Sequence, residues 1–113
     1  MNSTDKFKRL KGEIIFEPQI LPTSGVVFYL CWWSESRLFL YYLINISEDY
    51  PEIPLYVYDI DGNNIALFKE RYGEKKSHGM GETFWLKNGE IIGWFNDYRN
   101  HKRRIMELFN MLL

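Results

Sequence analysis

An uninterrupted apolar run of eight residues, 26–33, constrains the fold of this chain more than any other segment. A membrane-spanning helix needs roughly 20 apolar residues, so this run is too short to cross a bilayer. It also lacks the alternation of polar and apolar residues that is typical of a strand with one face in water. The run therefore predicts a strand buried on both faces, as in a parallel sheet that helices cover.

The segment that follows has the composition of a strand but the spacing of a helix. Residues 38–44 are aromatic and branched aliphatic, which favours a strand. Polar or hydroxyl-bearing side chains nevertheless recur every three or four residues, which is the period of one helix face. These positions are Ser34, Arg37, Tyr41, Asn45, Glu48 and Glu52. We therefore predict a helix from about Ser34, which would be its cap, to about Asp49, closed by Pro51 and Pro54.

The first 25 residues carry weaker signals. Residues 3–11 predict a short basic helix that ends at Gly12, and residues 13–21 predict an extended segment that Pro18 interrupts. Residues 22–25 predict a turn.

The remaining elements complete an α/β pattern. Residues 55–60 predict a strand, and residues 65–72 predict a helix with Gly73 as its left-handed stop. Residues 82–95 predict two strands joined by Asn88-Gly89, a pair that suits a two-residue hairpin turn. A last helix from about Asp97 would bury one apolar face. That face comprises Tyr98, His101, Ile105, Leu108, Phe109 and Leu112. The order predicts one domain over residues 1–113, an α/β sandwich with a mixed sheet.

Charge and composition exclude several function classes. The net charge is −1, and basic ends (+3 in residues 1–12, +3 in residues 71–113) flank an acidic middle (−7), so neither a nucleic-acid partner nor a membrane surface is indicated. One cysteine and two histidines allow no internal disulfide and no zinc site built from Cys and His alone. Residues 59–70 superficially follow a calcium loop, but Asn64 replaces its required glycine. We therefore expect no metal and no cofactor, and the N-terminus lacks a secretory layout, so the expected location is cytoplasmic.

Several motifs of the chain resemble thioredoxin over residues 26–113. Three of these motifs resemble the second half of thioredoxin: Tyr58-Asp59-Ile60-Asp61, Arg71-Tyr72-Gly73 and residues 79–90. Upstream, residues 28–37 resemble the thioredoxin strand that ends in Trp-Cys-Gly-Pro-Cys, whereas residues 1–25 match poorly. The resemblance implies a thioredoxin-like sandwich, with a mixed four- or five-stranded sheet and helices on both faces.

The departures from the thioredoxin pattern bear on function. If Trp32 is the family tryptophan, residues 33–36 (Trp-Ser-Glu-Ser) replace Cys-Gly-Pro-Cys, and both exchanging thiols are missing. Gly81 stands where the family has a cis-proline, and Val27 where it buries a carboxylate. Disulfide exchange needs an attacking thiolate and a resolving thiol, so the resemblance implies a redox-inactive member.

Thioredoxins hold extended protein segments at this edge of the sheet, which implies a protein-binding module acting as an adaptor, inhibitor or subunit. By position, the binding residues would be Trp32, Trp33, Ser34, Glu35, Ser36, Met80 and Gly81. Two alternatives remain open. One is a monothiol oxidoreductase or redox sensor that uses Cys31, the only candidate catalytic residue, which lies just before the predicted helix. The other is a small immunity or antagonist protein whose partner is a toxin.

Overall fold

A computed structural model describes residues 14–73, 81–95 and 102–113 of the chain. Its elements, in chain order, are β1 (Ile14–Phe16), β2 (Gly25–Leu30), α1 (Ser36–Ser47), β3 (Leu55–Asp59), α2 (Ile65–Tyr72), β4 (Thr83–Lys87), β5 (Glu90–Phe95) and α3 (Lys102–Met111). The helix predicted for residues 3–11 lies outside the described residues. No helix in the described parts of the chain combines the length and the apolar composition that crossing a membrane requires.

The five strands form one mixed sheet in the order β1-β3-β2-β4-β5. The β3 strand runs parallel to both β1 and β2, while β4 runs antiparallel to both β2 and β5. Helices α1 and α3 pack on one face, and α2 packs on the other. The predicted α/β sandwich with helices on both faces is confirmed, and its topology is compatible with a thioredoxin-like sandwich.

The β2 strand is buried on both faces, as its composition predicts. Every residue from Val26 to Leu30 has 0% exposed surface. Val26, Phe28 and Leu30 enter the core under α1 and α3. Val27 and Tyr29 enter the core under α2. The strand ends at Leu30, three residues before the apolar run does.

The α1 helix confirms the helical spacing but begins later than expected. Its buried face includes Phe39, Leu40 and Leu43, and residues 37, 41 and 45 face outward. The N-cap position falls at Glu35, one residue after the predicted Ser34, and Glu35 makes no side-chain capping bond. Ser34 still contributes to the start of the helix, because its Oγ accepts a hydrogen bond from the Ser36 amide at 3.1 Å. Residues 31–34 first form a turn, in which the Ser34 amide donates to the Cys31 carbonyl, so the helix starts only at Ser36.

The β4–β5 hairpin has the turn that its sequence predicts. Asn88 and Gly89 have φ values of 52° and 82°, and a type I′ turn needs a positive φ at both positions. The turn also contacts the segment before β2, because the Gly89 amide donates to the Thr23 carbonyl at 2.8 Å. In α3, Ile105, Leu108 and Phe109 are buried as predicted. Tyr98 and His101 lie outside the described residues.

Gly93 of β5 provides a test of how closely the hairpin and α3 pack. A Cβ atom at this position would lie 2.6 and 2.7 Å from the two Cδ atoms of Leu108. We expect Gly93→Ala to lower the free energy of unfolding by about 1–3 kcal/mol, measured by urea denaturation, since overpacking forces neighbours off their rotamers. In a Leu108→Ala background the same substitution should cost less, because the clashing atoms are gone. Equal costs in the two backgrounds would contradict this packing.

The phenol of Tyr58, in β3, makes the stability of the folded protein depend on pH in the alkaline range. Burial, and to a smaller extent the Glu17 carboxylate, raise the pKa of Tyr58 from 10.0 to about 12. The folded protein therefore holds the phenol proton more tightly than the unfolded chain does. This stabilisation is complete below about pH 10 and is lost as the pH rises through about 12. The difference in ultraviolet tyrosinate absorbance between wild type and Tyr58→Phe should have its midpoint near pH 12, and a midpoint near 10 would contradict the burial.

Candidate functional site

The candidate site lies at the carboxyl end of β2, where residues 31–35 connect Leu30 to the first residue of α1. This end of a strand in an open α/β sheet is a common place for binding sites, because the connections there leave a crevice. The predicted binding residues 32–36 all fall in or next to this connection.

Ser36 holds the connection together. It is fully buried, and its Oγ donates a hydrogen bond to the Cys31 carbonyl and accepts one from the Cys31 amide, both at 2.9 Å. Ser34 adds a longer bond, with its Oγ donating to the same carbonyl at 3.3 Å. A hydroxyl can donate and accept at once, whereas a thiol does both only weakly. The serine at this position therefore has a structural role that a cysteine would fill poorly.

The two neighbouring tryptophans have different environments. Trp32 is half-buried and packs against the core under α1 and α3. Trp33 is 88% exposed, and Glu35 is exposed as well. Of the predicted contact residues in the connection, Trp33 and Glu35 are thus the ones whose side chains reach solvent most fully.

Gly81 allows the chain to approach α1 closely. It is buried with a φ of +96°, and a Cβ atom there would lie 2.8 Å from Cδ2 of Phe39. The next residue, Glu82, is also fully buried, and its backbone carbonyl accepts a hydrogen bond from the Tyr29 amide at 2.9 Å. Gly81 therefore supports the site from beneath α1 and offers little surface for contact. Met80, which the resemblance places beside it, lies outside the described residues.

Cys31 is a free, half-buried cysteine at the exit of β2. Its backbone amide and carbonyl are both engaged by Ser36. Within the described residues no group of three or more His, Cys, Asp or Glu side chains could hold a metal ion. In the described residues of the connection, the hydroxyls of Ser34 and Ser36 therefore form hydrogen bonds to the backbone of Cys31.

Two exposed residues of α1 extend the site beyond the prediction. Leu38 is 63% exposed, and Tyr41, three residues later, is exposed on the same side of the helix. Trp33, Leu38 and Tyr41 together are hereafter the Trp33 surface. Our spacing argument counted Tyr41 with the outer face but missed Leu38. A helical projection would have found it, because at 100° per residue Leu38 falls close to Asn45 on that face.

Comparison with known proteins adds no relative to this description. No protein-family model and no curated protein matches the chain. The interpretation of the site therefore depends on its geometry and on the sequence motifs described above.

Replacing Ser36 tests whether its hydroxyl holds the connection. We expect Ser36→Ala to lower the free energy of unfolding by about 1–3 kcal/mol, because it removes the acceptor of the Cys31 amide and the shortest of the hydrogen bonds to the Cys31 carbonyl. Ser34→Ala is the matched control and should cost less, since Ser34 is only half-buried and its bonds measure 3.1 and 3.3 Å. Equal losses of stability in urea denaturation would contradict the structural role of Ser36.

Proposed function

We propose that this protein is a redox-inactive, thioredoxin-like module of the cytoplasm that binds another protein, as an adaptor, an inhibitor or a subunit. The observation that carries the proposal is the 88% exposure of Trp33 at the carboxyl edge of the sheet. An indole this exposed contributes little packing to the fold. Protein interfaces, in contrast, are enriched in tryptophan and tyrosine.

The surroundings of Trp33 suit a protein contact. Leu38 and Tyr41 add apolar area on the neighbouring turns of α1, and Glu35 and Arg37 are exposed beside them. An apolar centre with a polar rim is the usual arrangement of a protein interface. Aromatic side chains also lose few rotamers on binding, which keeps the entropic cost of ordering them small.

The chemistry of the connection supports binding over catalysis. The two positions that the resemblance assigns to thiols hold an exposed indole at Trp33 and a buried hydroxyl at Ser36. Thiol exchange through a mixed disulfide needs two sulfur atoms in turn. The side chains at these two positions therefore support noncovalent binding of a polypeptide over thiol exchange.

A comparative pull-down with the full-length protein tests the proposal. Wild-type protein, Trp33→Ala and the matched control Met106→Ala, which alters an exposed apolar residue of α3, would each capture proteins from host cytosol. We expect one partner to bind wild type and Met106→Ala but to be lost with Trp33→Ala. In calorimetry with that partner, Trp33→Ala should weaken binding by about 30-fold, which corresponds to a hot spot of about 2 kcal/mol. A partner retained equally by all three proteins would contradict the Trp33 surface.

A disulfide-reduction assay with insulin as substrate separates the binding proposal from the monothiol alternative. We expect no turnover above the rate of the reductant alone. Turnover that Cys31→Ser abolishes would contradict the proposal and support an oxidoreductase or redox sensor that uses Cys31.

A further inference from the structure

The outer side of α1 carries a cation and an anion at opposite ends of the apolar Trp33 surface. At 100° per residue, Arg37 and Glu48 both fall within about 40° of Tyr41, on the same side of it. Arg37 is exposed and Glu48 is half-buried. Glu48 is the C-cap of α1 but keeps helical backbone angles, φ −61° and ψ −25°, so it continues this face. The face therefore runs from Arg37 through Tyr41 to Glu48, three turns and about 16 Å away.

The charges of this face oppose the dipole of their own helix. Arg37 lies in the first turn of α1, whereas Glu48 and Asp49 follow its last turn. The first turn of this described helix contains no acidic residue and the last turn no basic one. Glu35, at the N-cap, is acidic but falls about 120° away from Tyr41 around the axis. Because the N-terminal end of a helix favours anions and the C-terminal end favours cations, Arg37 and Glu48 are both placed unfavourably.

The same side chains have no offsetting contact in their own chain. Among the described residues, the side chains of Arg37 and Glu48 form no ion pair. Each is thus able to pair with a charge of the opposite sign on another molecule.

A second copy that packs against α1 in the antiparallel direction corrects both placements. About a two-fold axis between Tyr42 and Leu43, Arg37 of one copy faces Glu48 of the other, because the two residues lie equally far from the axis. Arg37 then also lies beside the negative, C-terminal end of the second copy's helix, and Glu48 beside the positive end. Most homodimers have this two-fold symmetry, in which one surface contacts itself. The charge pattern of α1 is therefore complementary to its own reverse.

The apolar area of the face is of the size that a dimer needs. Trp33, Leu38 and Tyr41 are 88%, 63% and 42% exposed. Because a large aromatic side chain buries about 150–250 Å², these exposed fractions amount to roughly 400 Å² per copy. A standard protein interface takes about 800 Å² from each partner, of which a little over half is apolar. The Trp33 surface thus supplies the apolar part of such an interface, and Arg37 and Glu48 begin its polar rim.

We propose that two copies of this chain associate through antiparallel α1 helices, with Arg37 of each copy paired with Glu48 of the other. Tyr41 packs against its own counterpart near the two-fold axis. Trp33, which precedes α1 at the Arg37 end, covers the C-terminal end of the second copy's helix. This inference rests on the function proposed above, because it names a second copy of the chain as the protein that the Trp33 surface binds.

Sedimentation equilibrium of the full-length protein, with a reductant that keeps Cys31 from linking two copies, provides the first test. At about 100 μM, which populates dimers of micromolar dissociation constant, we expect wild type to have twice the mass of one chain. Arg37→Glu should raise the dissociation constant by about tenfold or more, because two attractive pairs become repulsive. The matched control Arg103→Glu, which makes the same change of charge on α3 at a side chain 97% exposed, should leave the dissociation constant unchanged. A monomeric wild type, or equal effects of the two substitutions, would overturn the proposal.

A mixture of two charge variants tests the antiparallel register. Glu48→Arg alone should also dissociate the dimer, because Arg37 of each copy then faces a second cation. An equimolar mixture of Arg37→Glu chains and Glu48→Arg chains should form dimers again, since every anion in the mixed pair faces a cation. Both substitutions also suit the dipole of α1, so neither weakens the helix itself. A mixture that stays monomeric would contradict the pairing of Arg37 with Glu48.

The behaviour of Trp33→Ala separates this inference from the proposed function. If wild type stays monomeric but a pull-down partner is lost with Trp33→Ala, the dimer is wrong and the proposed function stands. If Trp33→Ala dimerises like wild type and keeps every pull-down partner, both are wrong. We expect Trp33→Ala to weaken the dimer by about tenfold or more, as the loss of a central aromatic contact does at other interfaces.

Discussion

The burial of β2 on both faces is the constraint on which the rest of the structure depends. Its residues Val26 to Leu30 alternate between two apolar cores, and none of them has exposed surface. Each large apolar side chain buried in this way contributes about 1.5–3 kcal/mol. Because both faces of the strand must stay dry, the chain needs helices on both sides, and it must leave the strand through a turn at the edge of the sheet.

That turn is held together by the side chain of one buried serine. Ser36 is buried where the resemblance to thioredoxin implies a thiol, and its hydroxyl bonds both backbone groups of Cys31. The next turn outward exposes Trp33. The connection between strand and helix is thus stabilised by neutral hydrogen bonds. The side chain of the connection that is most exposed to solvent is the Trp33 indole.

The two faces of the sheet are covered unequally, and this separates two surfaces of the molecule. Helices α1 and α3 close one face, and α1 carries the Trp33 surface on its outer side. The other face has α2 and the β1–β2 connection, which leave a cavity of about 650 Å³ beside β1. Because the sheet lies between them, the two surfaces share no side chain. Contacts at one need not disturb the other.

The sequence by itself determined the elements whose signals lie in neighbouring residues. The apolar run predicted the burial of β2, the polar spacing predicted α1, and Asn88-Gly89 predicted the hairpin turn, because period and turn geometry are local properties. Only the tertiary structure decided the roles of Ser34 and Ser36, the exposure of Leu38 and the course of residues 17–24. Those features depend on groups distant in the chain, such as the Glu17 carboxylate and the Asp59 amide, 42 residues apart. No local pattern encodes that distance.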